Sequence, residues 1–446
     1  MPRSLVSIVR YEKPYESVKK AVELSGGLSH LKPSDHVFIK PNILFWTTKT
    51  VLPKWGVMTT SRVVEDMVHL LKDLGIQHIT IGEGSVVADH KDKETQFHAY
   101  EALGYKKLEE RYGVKCVNIL ARPFTKVDLG DGMKLSFSRD VLESDMVVDL
   151  PVLKTHAQTT VSLGIKNLKG TISIPSRKRC HNADPALNLH RWVARLADPM
   201  PPVFTLIDGI FSNERGPAFD GRMRRSNLLI ASNDIFAADK VGAHVLGYAP
   251  GEVPHLSHYA KRHDQPLDLS DVNIKGEALE DVTEYHQYDF GYTEDGALPK
   301  SMAKMGIQGV SYYKYDLSMC TYCSGITGAL LTAIAMAWKG QPWDDVEVLT
   351  GKQMPPRPGK KKTILLGQCM CRLHKDNPDI REAILIDGCP PDPKAVVAAF
   401  QQAGIEVDPN IIENYEQLPG FLMARYKDKP EFDESFFKIL ITSAIC

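Results

Sequence analysis

Short apolar runs that each end on a charged or turn residue, with helix-length segments between them, constrain this chain more than any other feature. Leu5–Val9, His36–Lys40, His78–Ile81, Met146–Leu150, Val203–Ile207 and Leu228–Ile230 read as strands. Between them lie a helical pattern with Val18, Val22 and Leu24 on one side, the amphipathic stretch Ser61–Leu74, and Ala237–Leu246. Parallel strands cannot be joined by a tight turn, so this alternation implies crossover helices and an α/β fold with a mainly parallel sheet. From about Pro250 to Gly309 the periodicity fades into His, Asp, Tyr and Gly, as in a connecting region. A second, smaller α/β pattern follows: strand Val310–Tyr315, helix Gly325–Ala337, strands Val346–Leu349, Thr363–Leu366 and Ala383–Ile386, then helix Pro393–Ala403. The expected organisation is an α/β domain over 1–250, a connector over 251–310 and a cysteine-rich α/β domain over 311–446.

The 446 residues leave room for two or three domains, and 54 Lys plus Arg against 55 Asp plus Glu give a net charge of −1. That balance argues against a surface built to coat nucleic acid or an anionic membrane. Met1–Pro14 has no apolar core of a secretory signal. The longest greasy run, Ile326–Trp338, is too short to span a bilayer and reads as a buried helix. The expected compartment is the cytoplasm, where eight cysteines suit metal ligation better than disulfides.

Five of those cysteines fall in three groups: Cys320-Thr-Tyr-Cys323, Cys369-Met-Cys371 and Gly388-Cys389-Pro-Pro391. Each group follows an apolar strand. If the strands are parallel, the groups share the carboxyl edge of one sheet, where ligands collect in open α/β folds. Four converging thiolates would suit a 4Fe-4S cluster, which commonly opens on a C-x-x-C pair. Zinc accepts the same donors but usually from two paired knuckles, so iron–sulfur is favoured and zinc is the alternative. The expected ligands are Cys320, Cys323, Cys369 and Cys389, with Cys371 in reserve. The Gly-Cys-Pro-Pro stretch resembles the cluster-ligating loop of hydrogenase and complex I small subunits, which supports Cys389 alone. Cys116 reads as core, and Cys180 and Cys446 as incidental.

A second signal is electrostatic. From Pro151 to Ala183 there are six Lys or Arg and no Asp or Glu. Arg177, Lys178 and Arg179 read as a solvated basic loop. Lys154 and Lys166 directly follow apolar runs and are candidates for binding an anion such as a phosphate or carboxylate. Lys40-Pro-Asn42 and Gly82-Glu83-Gly84 have the same strand-then-turn grammar. Lys40, Glu83, Lys154 and His156 are therefore expected on one rim, with Glu83 or His156 as acid or base and the lysines neutralising substrate charge. Asp208-Gly209 is a further candidate or a plain turn. No dinucleotide fingerprint, Walker A loop, zinc-protease helix or nucleophile elbow occurs.

Three motifs occur in a familiar order: Lys40-Pro-Asn42, Leu150-Pro-Val-Leu-Lys-Thr-His156 and Gly164-Ile-Lys-Asn-Leu-Lys-Gly170. Over roughly Ser7 to Leu246 the chain resembles domain-of-unknown-function family 362, whose members frequently carry or adjoin iron–sulfur domains and are often bacterial or archaeal. The resemblance implies an α/β domain with Lys40, Asn42, Lys166, Asn167 and Lys169 at its site. Many members append a ferredoxin module with two dense cysteine runs, and this chain departs from that pattern. The expected function is a cytosolic iron–sulfur protein of one-electron chemistry acting on, or beside, a small anionic substrate. An electron-transfer protein is the expected partner, an oligomer is compatible, and neither nucleic acid nor a membrane span is expected. A non-redox isomerase or lyase with structural zinc, and a cluster-bearing assembly protein, are the alternatives.

Overall fold

The computed structural model describes residues 3–87 and 91–440; Cys446 lies outside them. It divides into two compact units. The first comprises residues up to 176, 190–289 and from 419 on; the second comprises Arg177–Leu189 and Phe290–Leu418.

The strands of the first unit are β1 (Ser4–Arg10), β2 (His36–Pro41), β3 (His78–Glu83), β4 (Lys115–Asn118), β5 (Phe124–Asp128), β6 (Lys134–Ser138), β7 (Met146–Leu150), β8 (Val152–His156), β9 (Thr160–Ser162), β10 (Val203–Glu214), β11 (Arg222–Ser232) and β12 (Val272–Gly276). The main sheet runs β12-β1-β11-β10-β7-β2-β3-β4, with β8 on β10 and β9 on β8; β5 and β6 form a separate hairpin. Its pairs are parallel except β1–β11, β10–β11 and β8–β9. Helices flank it, so the fold is the mixed α/β architecture that the alternation implied. The central strand β7 is buried at every residue, as a strand covered on both faces must be. Helix Ser61–Asp73 lays Val63, Val64, Met67, Val68, Leu70 and Leu71 into the core. Each such side chain contributes roughly 1.5–3 kcal/mol by leaving water.

Two boundaries differ from the sequence reading. The expected connector contains helix Pro254–His263 and β12, which pairs in parallel with β1 at the sheet edge. It therefore belongs to the first unit as far as Asp289. Residues from 419 on also return to that unit: Tyr426 and Phe432 pack on Trp55, and Phe432 stacks on Phe211 at 6.0 Å between ring centroids. Edge position and half-exposure blur apolar periodicity, which is why neither was legible.

In the second unit β13 (Val310–Tyr312), β14 (Val346–Leu349), β15 (Lys362–Leu366) and β16 (Ala383–Ile386) pair in that order, all parallel. Helix Thr321–Ala337 starts four residues earlier than the expected Gly325, with Cys320 at its N-cap. Cys323, Ile326, Leu330, Ala333 and Ile334 form its buried stripe, while Met336 faces solvent. The greasy run is thus an apolar helix buried along one side. Among the described residues no helix is long and apolar enough to cross a membrane.

Candidate functional site

At the carboxyl ends of β2, β3 and β7 the first unit buries a network of charged side chains. Lys40 Nζ donates to Glu83 Oε2 at 2.7 Å and to the Pro41 carbonyl at 2.7 Å. Glu83 is held from its own side by the backbone N–H groups of Ile43 (3.0 Å) and Gly84 (2.7 Å). Asn167 bridges strands: its Nδ2 donates to Asp149 Oδ1 at 2.8 Å, and its Oδ1 accepts from Asn42 Nδ2 at 3.0 Å. Lys154 Nζ donates to Asn42 Oδ1 and to the Val57 carbonyl, both at 2.6 Å. Lys40, Asn42, Glu83, Lys154 and Asn167 are therefore brought together; three of them, Lys40, Glu83 and Lys154, are among the four expected on one rim.

They do not form an open rim. Lys40 and Lys154 are 0% and 1% exposed, and each already has its acceptors. Burial pulls the Lys154 ammonium down to about 7, with Glu83 opposing and Lys40 assisting. Asp149, absent from the sequence reading as a site residue, pairs in register with Lys40. Burial holds its carboxyl well above the ordinary range against the pull of Lys40 and Asn167, and among the described residues its Oδ2 meets no hydrogen-bond partner. His156, Lys166 and Lys169 are half-exposed; Gln158 N–H donates to His156 Nδ1 at 3.1 Å. Asp208 accepts from the N–H groups of Thr60 (2.7 Å) and Ile210 (3.0 Å), an anchor for a helix entry and a strand irregularity.

This packing explains the two motif glycines. A Cβ on Gly170 would lie 2.4 Å from Glu83 Oε1 and 2.6 Å from Lys40 Cε. On Gly164 it would lie 2.9 Å from Asp239 Oδ1. Asp239, from helix Ile235–Val245, accepts from the N–H groups of Gly164 (2.6 Å) and Ile165 (2.9 Å), and burial still pushes its carboxyl up to about 7. The Gly-Ile-Lys-Asn turn is seated on one carboxylate and closes over an ion pair.

In the second unit all four strands end toward one group of side chains. Cys320 and Cys323 follow β13, Lys352 follows β14, Cys369 follows β15 and Cys389 follows β16. The Cys323 thiol hydrogen-bonded to Cys320 draws the Cys320 thiol down, with backbone N–H groups and Lys352 assisting and burial opposing. Cys323 is raised by the same contact and by burial, with Cys320, Cys369 and Cys389 all within electrostatic reach. Gly367, at φ +89°, would put a Cβ 3.0 Å from Cys323 Sγ, so glycine brings that turn against the sulfur. Gln368 N–H then donates to the Gly388 carbonyl at 3.0 Å, tying the Cys369 and Cys389 loops together. Cys371 points elsewhere: its Sγ lies 3.4 Å from the Leu365 carbonyl, among Leu349, Leu365 and Met370. The sulfurs are neighbours without being closed into one coordination sphere. Among the described residues no three or more His, Cys, Asp or Glu are gathered closely enough to hold a metal ion.

The basic run Arg177–Arg179 is not a solvated loop throughout. Lys178 Nζ lies 3.0 Å from Cys389 Sγ and 4.5 Å from the centroid of the Tyr322 ring. Lys352 Nζ donates to the carbonyls of Lys178 (2.7 Å) and His181, fastening that segment beside the thiols. Cys116 is half-buried and Cys180 is buried.

With this geometry in hand, residues 37–244 match the family model described as "Domain of unknown function (DUF362)". The match holds all three motifs and every member of the buried network, and it ends before the thiol loops. A thylakoid-associated protein of Synechocystis sp. is 26% identical to this chain over 244 residues, covering 54% of this chain and 72% of that protein. Among solved structures, lactate racemase apoprotein from Thermoanaerobacterium thermosaccharolyticum aligns at 15% identity and a TM-score of 0.35. That alignment covers 52% of this chain and only 55% of the racemase. A protein of Thermotoga maritima aligns at 13% identity and a TM-score of 0.34, over 76% of this chain and 70% of that one.

Proposed function

We propose that this chain is a cytosolic iron–sulfur protein whose second unit holds one 4Fe-4S cluster for one-electron transfer, and whose first unit meets a small anionic ligand. The observation that supports the reading is that Cys320, Cys323, Cys369 and Cys389 follow three strands of one parallel sheet at its carboxyl edge, with the Cys369 and Cys389 loops tied by Gln368 N–H to the Gly388 carbonyl. Four soft donors from three loops fit such a cluster in number and in chemistry. Cys320, Cys323, Cys369 and Cys389 would hold it, and the cluster when bound supplies a single-electron couple.

The chain's own residues supply the rest. The N-terminus of helix Thr321–Ala337 presents N–H groups and its positive dipole end to the first two sulfurs. Lys178 and Lys352 place positive charge beside four donors that are anionic when ligating. In the first unit Lys40 and Lys154 are consumed by internal partners. The groups of the same motifs that reach the surface are the half-exposed His156, Lys166 and Lys169, where an anion would be met.

Anaerobic reconstitution of the full chain with iron and sulfide, followed by visible absorption and analysis for iron, sulfide and zinc, tests this reading. The expected result is about four irons and four sulfides per chain, as a 4Fe-4S centre requires, with absorption that dithionite bleaches and a small-molecule acceptor restores. Stoichiometric zinc with no sulfide would overturn it.

A further inference from the structure

Lys178 sits in a built position. Its ammonium is 3.0 Å from Cys389 Sγ, and the Tyr322 ring lies beneath it at 4.5 Å. Tyr322 is one of the two residues inside Cys320-Thr-Tyr-Cys323, so one thiol group supplies the platform and another the acceptor. The backbone that carries Lys178 is pinned as well: Lys352 binds the Lys178 carbonyl, and the His181 ring nitrogen Nδ1 pairs with the Leu317 carbonyl at 3.0 Å. A surface lysine of ordinary freedom would need none of these restraints. A hydrogen bond and a full positive charge at a ligand sulfur favour the state that carries more negative charge, which for a cluster is the reduced one.

We propose that Lys178 is a potential-setting residue of the thiol site, held over Tyr322 so that its ammonium donates to Cys389 and raises the cluster's reduction potential. The proposal rests on the iron–sulfur reading, and it asks a separate question of it: the poise of the centre rather than its presence. Lys178 touches a ligand and no reacting atom, so it is a positioning residue. Its action involves no bond made or broken, only the relative stability of two charge states of the same centre.

The test is redox potentiometry of the reconstituted full chain, monitored by absorption and by the electron paramagnetic resonance of the reduced form. Lys178→Met should keep the iron and sulfide content of the wild type and move the midpoint to more negative potential. A tenfold fall in the reduced-to-oxidised ratio at fixed potential corresponds to a shift of about 59 mV for one electron. Lys178→Arg should restore most of the shift, because it keeps a donor and a charge on the same ring. Full iron content with an unmoved midpoint in Lys178→Met overturns the proposal and leaves the cluster reading standing. If Lys178→Met takes up no iron, the same comparison is made in Tyr322→Leu, which keeps the ammonium but removes its platform. An unmoved midpoint there also overturns it. A wild-type chain that takes up no iron sinks the cluster reading itself.

Discussion

In the first unit these buried ammonium groups meet oxygen acceptors: Lys40 has Glu83 and the Pro41 carbonyl, and Lys154 has Asn42 and the Val57 carbonyl. In the second unit the acceptor is of another kind, because Lys178 reaches the sulfur of Cys389. The first pattern is what a buried charge needs to survive in a folded core. The second is what a site needs to attract and hold something from outside. The difference teaches that Lys40 and Lys154, though they stand in the motifs, do structural work in this chain, and the proposed cluster chemistry is placed on the thiol loops instead.

The comparison breaks most visibly at the thiols. Cys320→Ala and Cys389→Ala should each abolish stoichiometric iron uptake, because three thiolates hold the centre poorly. Iron analysis showing wild-type content in both variants would refute the ligand assignment. On the other side, Glu83→Gln leaves Lys40 buried without its counter-charge. It should cost about 3–5 kcal/mol, read from urea unfolding of the full chain. A smaller expected effect is that of Gly170→Ala, whose methyl would enter the space of Glu83 and Lys40, at about 1–3 kcal/mol in the same experiment.

The pH dependence of stability sharpens the contrast further. Asp239, pushed up to about 7 from its ordinary 3.8, keeps its proton in the folded state after the unfolded chain has lost it. Its contribution is full below the ordinary value and disappears as the pH climbs to 7, at up to about 1.4 kcal/mol per pH unit. Lys154, pulled down to about 7 from 10.5, acts in the opposite window: its contribution grows from pH 7 upward and is lost as pH falls back through 7. Denaturant midpoints measured from pH 5 to 9 should fall and then rise. Asp239→Asn should flatten the acid limb, and Lys154→Met the alkaline limb. The smallest expected effect is on the other unit: Lys154→Met should leave iron content unchanged, and its loss there would show that the two regions are not independent.

Much of this was legible in the sequence. The long buried strands β2, β3, β7 and β10 announce themselves as apolar runs, and the three cysteine groups announce themselves by following such runs. The short half-polar strand β4, the β5–β6 hairpin and the edge strand β12 carry little apolar periodicity and were missed. Residue type alone does not tell an inward lysine from an outward one, so Lys40 and Lys154 read as a rim when they are core. Lys178 was lost among its neighbours: a run of three basic residues looks solvated, and the contact with Cys389 joins positions 211 residues apart. Asp239 and Asp149 could have been suspected from the motif glycines, since Gly164 and Gly170 mark places where something approaches the backbone closely.

The most direct measurement is anomalous diffraction at the iron absorption edge from anaerobically grown crystals of the reconstituted full chain. The expected result is one cluster of four irons per chain, each iron within bonding distance of one of the sulfurs of Cys320, Cys323, Cys369 and Cys389, with Cys371 apart from it. A peak ligated by Cys371 in place of Cys369 would correct the ligand set. A zinc peak, or an iron-free site with the four sulfurs left as separate thiols, would contradict the central claim.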